Sequence, residues 1–117
     1  MMSLENTNLT AFQKKVLELT KKIPAGKVGT YGLLAKILGD VNLSRAVGNA
    51  LNKNPFPIII PCHRVVKSNG HIGGFAKGIE EKVKLLKEEG ITINYNNFID
   101  LKKYLVNETI LKKKDMR

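Results

Sequence analysis

The chain has 117 residues, 43% hydrophobic and 26% charged, with 20 Lys and Arg against 10 Asp and Glu and a net charge of +10. That length fits one domain with one core, and the apolar fraction excludes a disordered chain. A single cysteine excludes an internal disulfide, and with only two histidines it argues against a four-ligand structural zinc site, so no metal is expected.

The positive excess points to an anionic partner, nucleic acid above all, although Lys112, Lys113, Lys114 and Arg117 place part of it in a terminal run that a solvated tail would also explain. Residues 1–8 read as an N-terminal segment with neither a basic n-region nor an apolar h-region. No apolar run approaches membrane-spanning length. The expectation is therefore no membrane, a reducing compartment, and a cytoplasmic location, or the nucleus in a eukaryotic cell.

Thr10-Ala11-Phe12-Gln13 has the spacing of a capping box and predicts a helix with Phe12, Val16, Leu19 and Ile23 on its apolar face, ended by Pro24 and Gly26. Val28 to Tyr31 allows a small strand. Thr30 is placed to cap a second helix carrying Leu33, Leu34, Ile37 and Leu38, closed by Gly39. Asp40 to Leu43 turns the chain into a third helix at about Ser44 to Asn52, with Val47 and Leu51 inward, which is the helix-turn-helix pattern. Ala46, Gly48 and Ala50 leave much of this helix nearly bare beside polar Arg45, Asn49 and Asn52. Bare helices permit close helix packing, or let a backbone sit deep in a DNA groove with Arg45 projecting inward.

Asn54-Pro55-Phe56-Pro57 cannot be helical, because each proline holds the preceding residue extended. Ile58, Ile59 and Ile60 then read as a buried extended run that brings Cys62 to the edge of the core. Val65 and Val66 continue extended, Lys67 to Gly70 turns, and Gly70 to Gly78 is a glycine-rich loop whose backbone approaches something closely. A helix at about Ile79 to Glu89, with Val83, Leu85 and Leu86 apolar, is capped by Gly90. Ile91 to Tyr95 reads as a strand, Asp100 to Leu105 as a short helix, and the lysine-rich end as frayed. Together the elements predict a mainly α fold with a small β element: a winged-helix-like helix-turn-helix in one compact domain over 9–92, and a C-terminal extension, 93–117, packing on it.

A thiolate is the strongest nucleophile among protein side chains, but a free thiol is only slightly ionised near neutral pH and needs a base or a positive field. His63 and Arg64 adjoin Cys62, yet consecutive side chains diverge in extended structure, so a bridging water would be needed. On the residues alone, Cys62 reads more readily as a small buried hydrophobe than as a nucleophile.

Pro61-Cys62-His63-Arg64-Val65-Val66 resembles the active-site motif of the O6-alkylguanine-DNA alkyltransferases. Thr30-Tyr31-Gly32, Arg45-Ala46-Val47-Gly48, Asn54-Pro55, Gly73-Gly74-Phe75 and Lys82 through Leu86 to Glu89-Gly90 match further landmarks in order and spacing. The resemblance spans about residues 9 to 90. It implies a single-turnover transfer of the alkyl group of O6-alkylguanine, in double-stranded DNA, to Cys62, by a monomer that needs no cofactor. It further implies minor-groove binding, with Arg45, Tyr31, Ala46, Gly48 and Asn49 on the DNA and Arg45 entering the stack as the damaged base flips out. Leu51, Pro57, Val65, Phe75 and Ala76 fall at the alkylguanine pocket, with carbonyls of Cys62 and Val65 accepting from the exocyclic amine. Tyr31 would offer its hydroxyl to the flipped guanine, Asn54 would tie the active-site turn, and Glu89 would orient His63, which acts through water on Cys62.

Three features depart from that family pattern. Ala76 and Lys77 stand where a serine or arginine and a glycine are common, Phe75 replaces a tyrosine, and the chain begins about where the catalytic domain does, so the usual N-terminal domain is expected to be lacking. Alkyltransferase-like proteins of similar length bind such lesions without repairing them and typically carry tryptophan at the position of Cys62. A lesion sensor that recruits other repair factors is therefore the alternative. A helix-turn-helix regulator blind to damage is the third reading, disfavoured by the bare third helix, since major-groove readout needs longer polar side chains.

Overall fold

The computed structural model describes Leu4 and residues 7–113. Most of the 1–8 segment, and the end of the basic run including Lys114 and Arg117, lie outside the described residues. The elements in chain order are α1 (Ala11–Thr20), β1 (Gly29–Thr30), α2 (Tyr31–Ile37), α3 (Ser44–Leu51), β2 (Val65–Val66), α4 (Ile79–Glu88), α5 (Leu101–Tyr104) and α6 (Glu108–Lys112), with 3-10 turns at Val41–Leu43 and Cys62–Arg64. The fold is mainly α with a two-stranded sheet.

Local chemistry sets most of these boundaries. Both bonds of the capping box form at the start of α1: the Gln13 amide donates to Thr10 Oγ1, and the Thr10 amide donates to Gln13 Oε1. Thr30 caps α2 by accepting from the Leu33 amide at 3.0 Å, and Gly39 closes that helix at φ +125°. α1 ends at Thr20, a turn before the predicted end, and Ile23 reaches full burial from the following turn instead.

One core lies among α1, α2 and α3, where Val16, Leu17, Leu34, Ala35, Val47 and Ala50 are fully buried. Each large aliphatic side chain there contributes about 1.5–3 kcal/mol of burial. Ala50 therefore belongs to the helix-packing face of α3 and not to its bare surface. A second cluster joins Val28, Val66, Ile72, Leu86, Ile91, Ile99 and Tyr104, and so roots the C-terminal segment.

The parallel pairing of β1 with β2 aligns Gly29 with Val65 and Thr30 with Val66. This register decides the site, because Tyr31, first residue of α2, is brought next to the end of the Cys62 segment.

Two expected strands are absent. Ile58 and Ile59 form an exposed turn, 45% and 65% accessible, with Ile58 at φ +75°, and only Ile60 is buried. The cause is Asn54, whose side chain accepts from the Phe56 amide and donates to the Ile60 carbonyl, folding the segment back on itself. Ile91 to Tyr95 likewise forms no strand: Asn94 Oδ1 accepts from the amides of Asn96 and Phe98 and curls the chain, with Asn97 at φ +66°. The short helix α5 forms as expected. Beyond it, α6 is a further helix, capped by Asn107 and fixed by the fully buried Leu111; most of the lysine-rich end expected to fray lies outside the described residues.

Candidate active site

Cys62 lies in the 3-10 turn after Pro61, 8% exposed, at the wall of an open cleft of about 910 Å³. Tyr31 at the head of α2, Arg45, Gly48, Asn49 and Leu51 of α3, and Gly74, Phe75 and Ala76 of the glycine-rich loop line the same cleft. Of the residues singled out in the sequence, these meet around one space. Asn54, Ala46, Pro57, His63, Val65 and Glu89 do not line it. His63 and Glu89 stand behind the cysteine, and Asn54 holds the turn leading to it. Val65 is fully buried because it is the strand residue opposite Gly29. Its carbonyl accepts from Lys82 Nζ at 2.7 Å, and the Cys62 carbonyl accepts from the Val65 amide, so each keeps only its second lone pair for any ligand.

His63 is 1% exposed and makes a 3.1 Å bond through Nε2 to Glu89 Oε2, at the end of α4. Burial pushes the imidazole below its ordinary value even though the Glu89 bond pulls the other way. In its neutral form the ring then carries its proton on Nε2, facing the carboxylate. Nδ1 is buried without a hydrogen-bond partner among the described residues, and is the nitrogen free to take a proton.

Burial alone would raise the Glu89 carboxyl. Hydrogen bonds from Arg64 and His63 outweigh it and hold the group below the usual carboxylate range. Arg64 grips both carboxylate oxygens, with Nε 2.9 Å from Oε1 and Nη2 on Oε2, and its Nη1 donates to the Ile23 carbonyl at 2.7 Å. The guanidinium thereby locks the carboxylate that holds the histidine.

Lys82, matched in the sequence only as part of a family landmark, is with Arg64 a site residue that sequence reasoning did not single out. It is 1% exposed on α4, and Nζ donates to the carbonyls of Val65 and Gly74. Desolvation pulls its pKa down to about 8, opposed by the Coulombic interaction with Cys62. The signal was legible: Lys82 precedes Leu86 by four residues, so a cation occupies the inward stripe of an otherwise amphipathic helix. Tyr31 is affected in the opposite sense, since burial and then the Cys62 charge raise its hydroxyl and keep it a proton donor.

Among the described residues, no group of three or more His, Cys, Asp or Glu could hold a metal ion. No helix among them is long and apolar enough to cross a membrane.

Fold and cleft together define a domain of the helix-turn-helix DNA-binding type with a cysteine at the wall of a cleft that α3 borders. The chain belongs to the 6-O-methylguanine DNA methyltransferase, DNA binding domain family, whose model matches residues 11–91. It is 52% identical over 81 residues to the methylated-DNA–protein-cysteine methyltransferase of Methanosarcina acetivorans, covering 69% of this chain and 52% of that protein. To the enzyme of the same name from Thermococcus kodakarensis it is 54% identical over 84 residues, 71% of this chain and 47% of that one. The chain thus spans about half the length of these curated relatives. Among solved structures, Mycobacterium tuberculosis OGT in complex with DNA aligns with a TM-score of 0.68 at 40% identity, over 71% of this chain and 51% of that one. S. pombe Atl1 in complex with damaged DNA containing O6-carboxymethylguanine aligns with a TM-score of 0.75 at 30% identity, over 86% of this chain and 99% of that one.

Proposed function

We propose that the protein repairs DNA directly, transferring the alkyl group of an O6-alkylguanine to Cys62 once per molecule. The observation that carries this reading is the placement of Cys62 at the cleft wall, bordered by α3 and Tyr31, with His63 buried behind it and bonded to the partly exposed Glu89.

Chemistry follows from these groups. A stacked guanine keeps its O6 substituent out of reach of a thiol recessed in a cleft, so the nucleotide must be flipped out. Arg45, exposed at the start of α3, fills the gap in the stack from the minor groove, while Gly48 and Asn49 lie along the DNA. His63 Nδ1 takes the Cys62 proton through a water, and the imidazolium so formed is stabilised by Glu89. The thiolate attacks the alkyl carbon, a carbon–sulfur bond forms, and the carbon–O6 bond breaks with its electron pair going to guanine. The Tyr31 hydroxyl donates to the departing anion. Leu51, Phe75 and Ala76 supply the apolar wall. The thioether is stable, so the protein acts stoichiometrically and without a cofactor, as a monomer on double-stranded DNA.

Intact mass after incubation with O6-methylguanine DNA tests this: a gain of one methylene in the wild type and none in Cys62→Ala. A second reading, a lesion sensor, is favoured by the nearly complete coverage of Atl1. It predicts binding to the lesion that weakens in Arg45→Ala, with unchanged mass in the wild type. An unchanged mass under reducing conditions overturns the transferase reading.

A further inference from the structure

The wall of the cleft opposite α3 is a glycine-rich loop, a poor material for a shaped pocket unless something fixes its peptides. Gly73 sits at φ +74°, a conformation that leaves its amide pointing away from any regular ladder. That amide donates at 3.0 Å to Nδ1 of His71. One residue on, the Gly74 carbonyl accepts from Lys82 Nζ at 3.0 Å. The peptides on either side of the Gly73–Gly74 link are thus pinned, and Tyr31 packs so close that a Cβ on Gly73 would lie 3.4 Å from its hydroxyl.

His71 is itself held from outside the family-matched region. Phe98 meets its ring edge-on, centroids 5.1 Å apart, and the two residues form a bridge. On either side, the Ile72 amide donates to the Asn97 carbonyl and the Ile99 amide to the Gly70 carbonyl. The segment after residue 91 therefore grips the loop through the residues flanking and contacting His71.

We propose that His71 is a positioning residue for the lesion cleft, setting Gly73 through Nδ1 and coupling that peptide to Phe98 of the C-terminal segment. The proposal rests on the cleft being the lesion site. Nδ1 can accept only from the neutral ring protonated on Nε2, so the interaction is specific to an acceptor at that position. Asparagine carries its amide oxygen where Nδ1 stands; leucine fills similar space without an acceptor.

The test compares wild type, His71→Leu and His71→Asn by amide hydrogen exchange on the free protein and by equilibrium binding to duplexes with and without O6-methylguanine. Expected in His71→Leu are exchange at Gly73 faster by about five- to tenfold and preference for the lesion duplex reduced by about fivefold, the scale of one hydrogen bond. Affinity for undamaged DNA should be unchanged, and His71→Asn should recover most of both effects. A structural role alone would lower stability and leave lesion preference intact. Unchanged Gly73 exchange in His71→Leu overturns the proposal, as does a lost preference that asparagine fails to restore. A wild type blind to the lesion would sink the functional reading, and the exchange comparison would still decide whether His71 sets Gly73.

Discussion

Replacing Lys82 with methionine should flatten the alkaline limb of the stability curve. The unfolded lysine has a pKa of 10.5, and burial lowers it to about 8 in the fold. A folded value below the unfolded one means that between the two the unfolded chain binds more protons, so this residue makes the protein more stable as pH rises through that window. With those two values, moving from about pH 7.5 to about pH 9.5 should add about 2 kcal/mol. Methionine cannot titrate, and its similar length fills the same channel, although it leaves the Val65 and Gly74 carbonyls without their shared donor, at a cost of about 1–3 kcal/mol each. Absolute stability is thus a poor readout, because relief of desolvation and loss of hydrogen bonds oppose each other. The difference between the two pH values is the clean one. Urea unfolding of both proteins at each pH measures it, and a wild type and Lys82→Met that gain equally on going alkaline would refute the assignment of a buried, desolvated cation.

Glu89→Gln leaves Arg64 without its carboxylate and His63 with a neutral partner, so stability should fall by about 2 kcal/mol in urea unfolding; a loss below about 0.5 kcal/mol would mean the carboxylate is not the hub of the network. His63 and Glu89 both have folded values below their ordinary ones. The stability they provide is therefore complete above the ordinary imidazole value of 6.5 and is lost as pH falls through the folded values. A urea midpoint that holds steady from about pH 7 to about pH 4.5 would contradict this. Gly73→Ala forces a side chain into φ +74° and toward the Tyr31 hydroxyl, and should cost about 1–2 kcal/mol, read as a shift in thermal midpoint, with poorer lesion discrimination.

What was legible in the sequence was what local chemistry determines. The capping box at Thr10, the Thr30 cap and Gly39 gave α1 and α2 because each acts within four residues. Ile58-Ile59-Ile60 misled for the same reason. An apolar run reads as buried strand, but here one asparagine side chain four residues upstream of Ile58 folds it into a turn and exposes two isoleucines. Ile91 to Tyr95 failed likewise at Asn94. In the candidate site, the members that line the cleft came from motif resemblance. Of those that tune it, Lys82 is marked as inward-facing by helix periodicity, but the partners of Arg64 and Lys82 lie 25 and 17 residues away, which periodicity does not encode. That the C-terminal segment packs on the domain was expected, but not which residues fix it, because its lysines suggest solvent. Its fixings are Leu111, Tyr104 and Val106 beneath them, with Lys22 and Lys27 donating to carbonyls at the ends of α6 and α5.

The electrostatic layout around Cys62 supports one further step. Before reaction, on the proposed mechanism, the thiol and His63 are neutral, while Arg64 and Glu89 compensate each other. Moving the proton from sulfur to His63 creates one negative and one positive charge in a region where isolated charges are costly. Each arises opposite a charge already in place: the imidazolium faces Glu89 at 3.1 Å, and the thiolate lies in the field of Lys82, whose own ionisation it favours. Neither charge requires protein groups to reorganise, which is the condition under which preorganised charges lower a barrier most. Lys82 and Glu89 therefore act on opposite halves of one ion pair, and removing either exposes the half it faced. The two should not contribute independently: in Lys82→Met with Glu89→Gln the loss in transfer rate should be smaller than the product of the single losses. Single-turnover rates of the four proteins give that coupling directly, and strictly multiplicative losses would show that the two charges do not act on a common proton transfer.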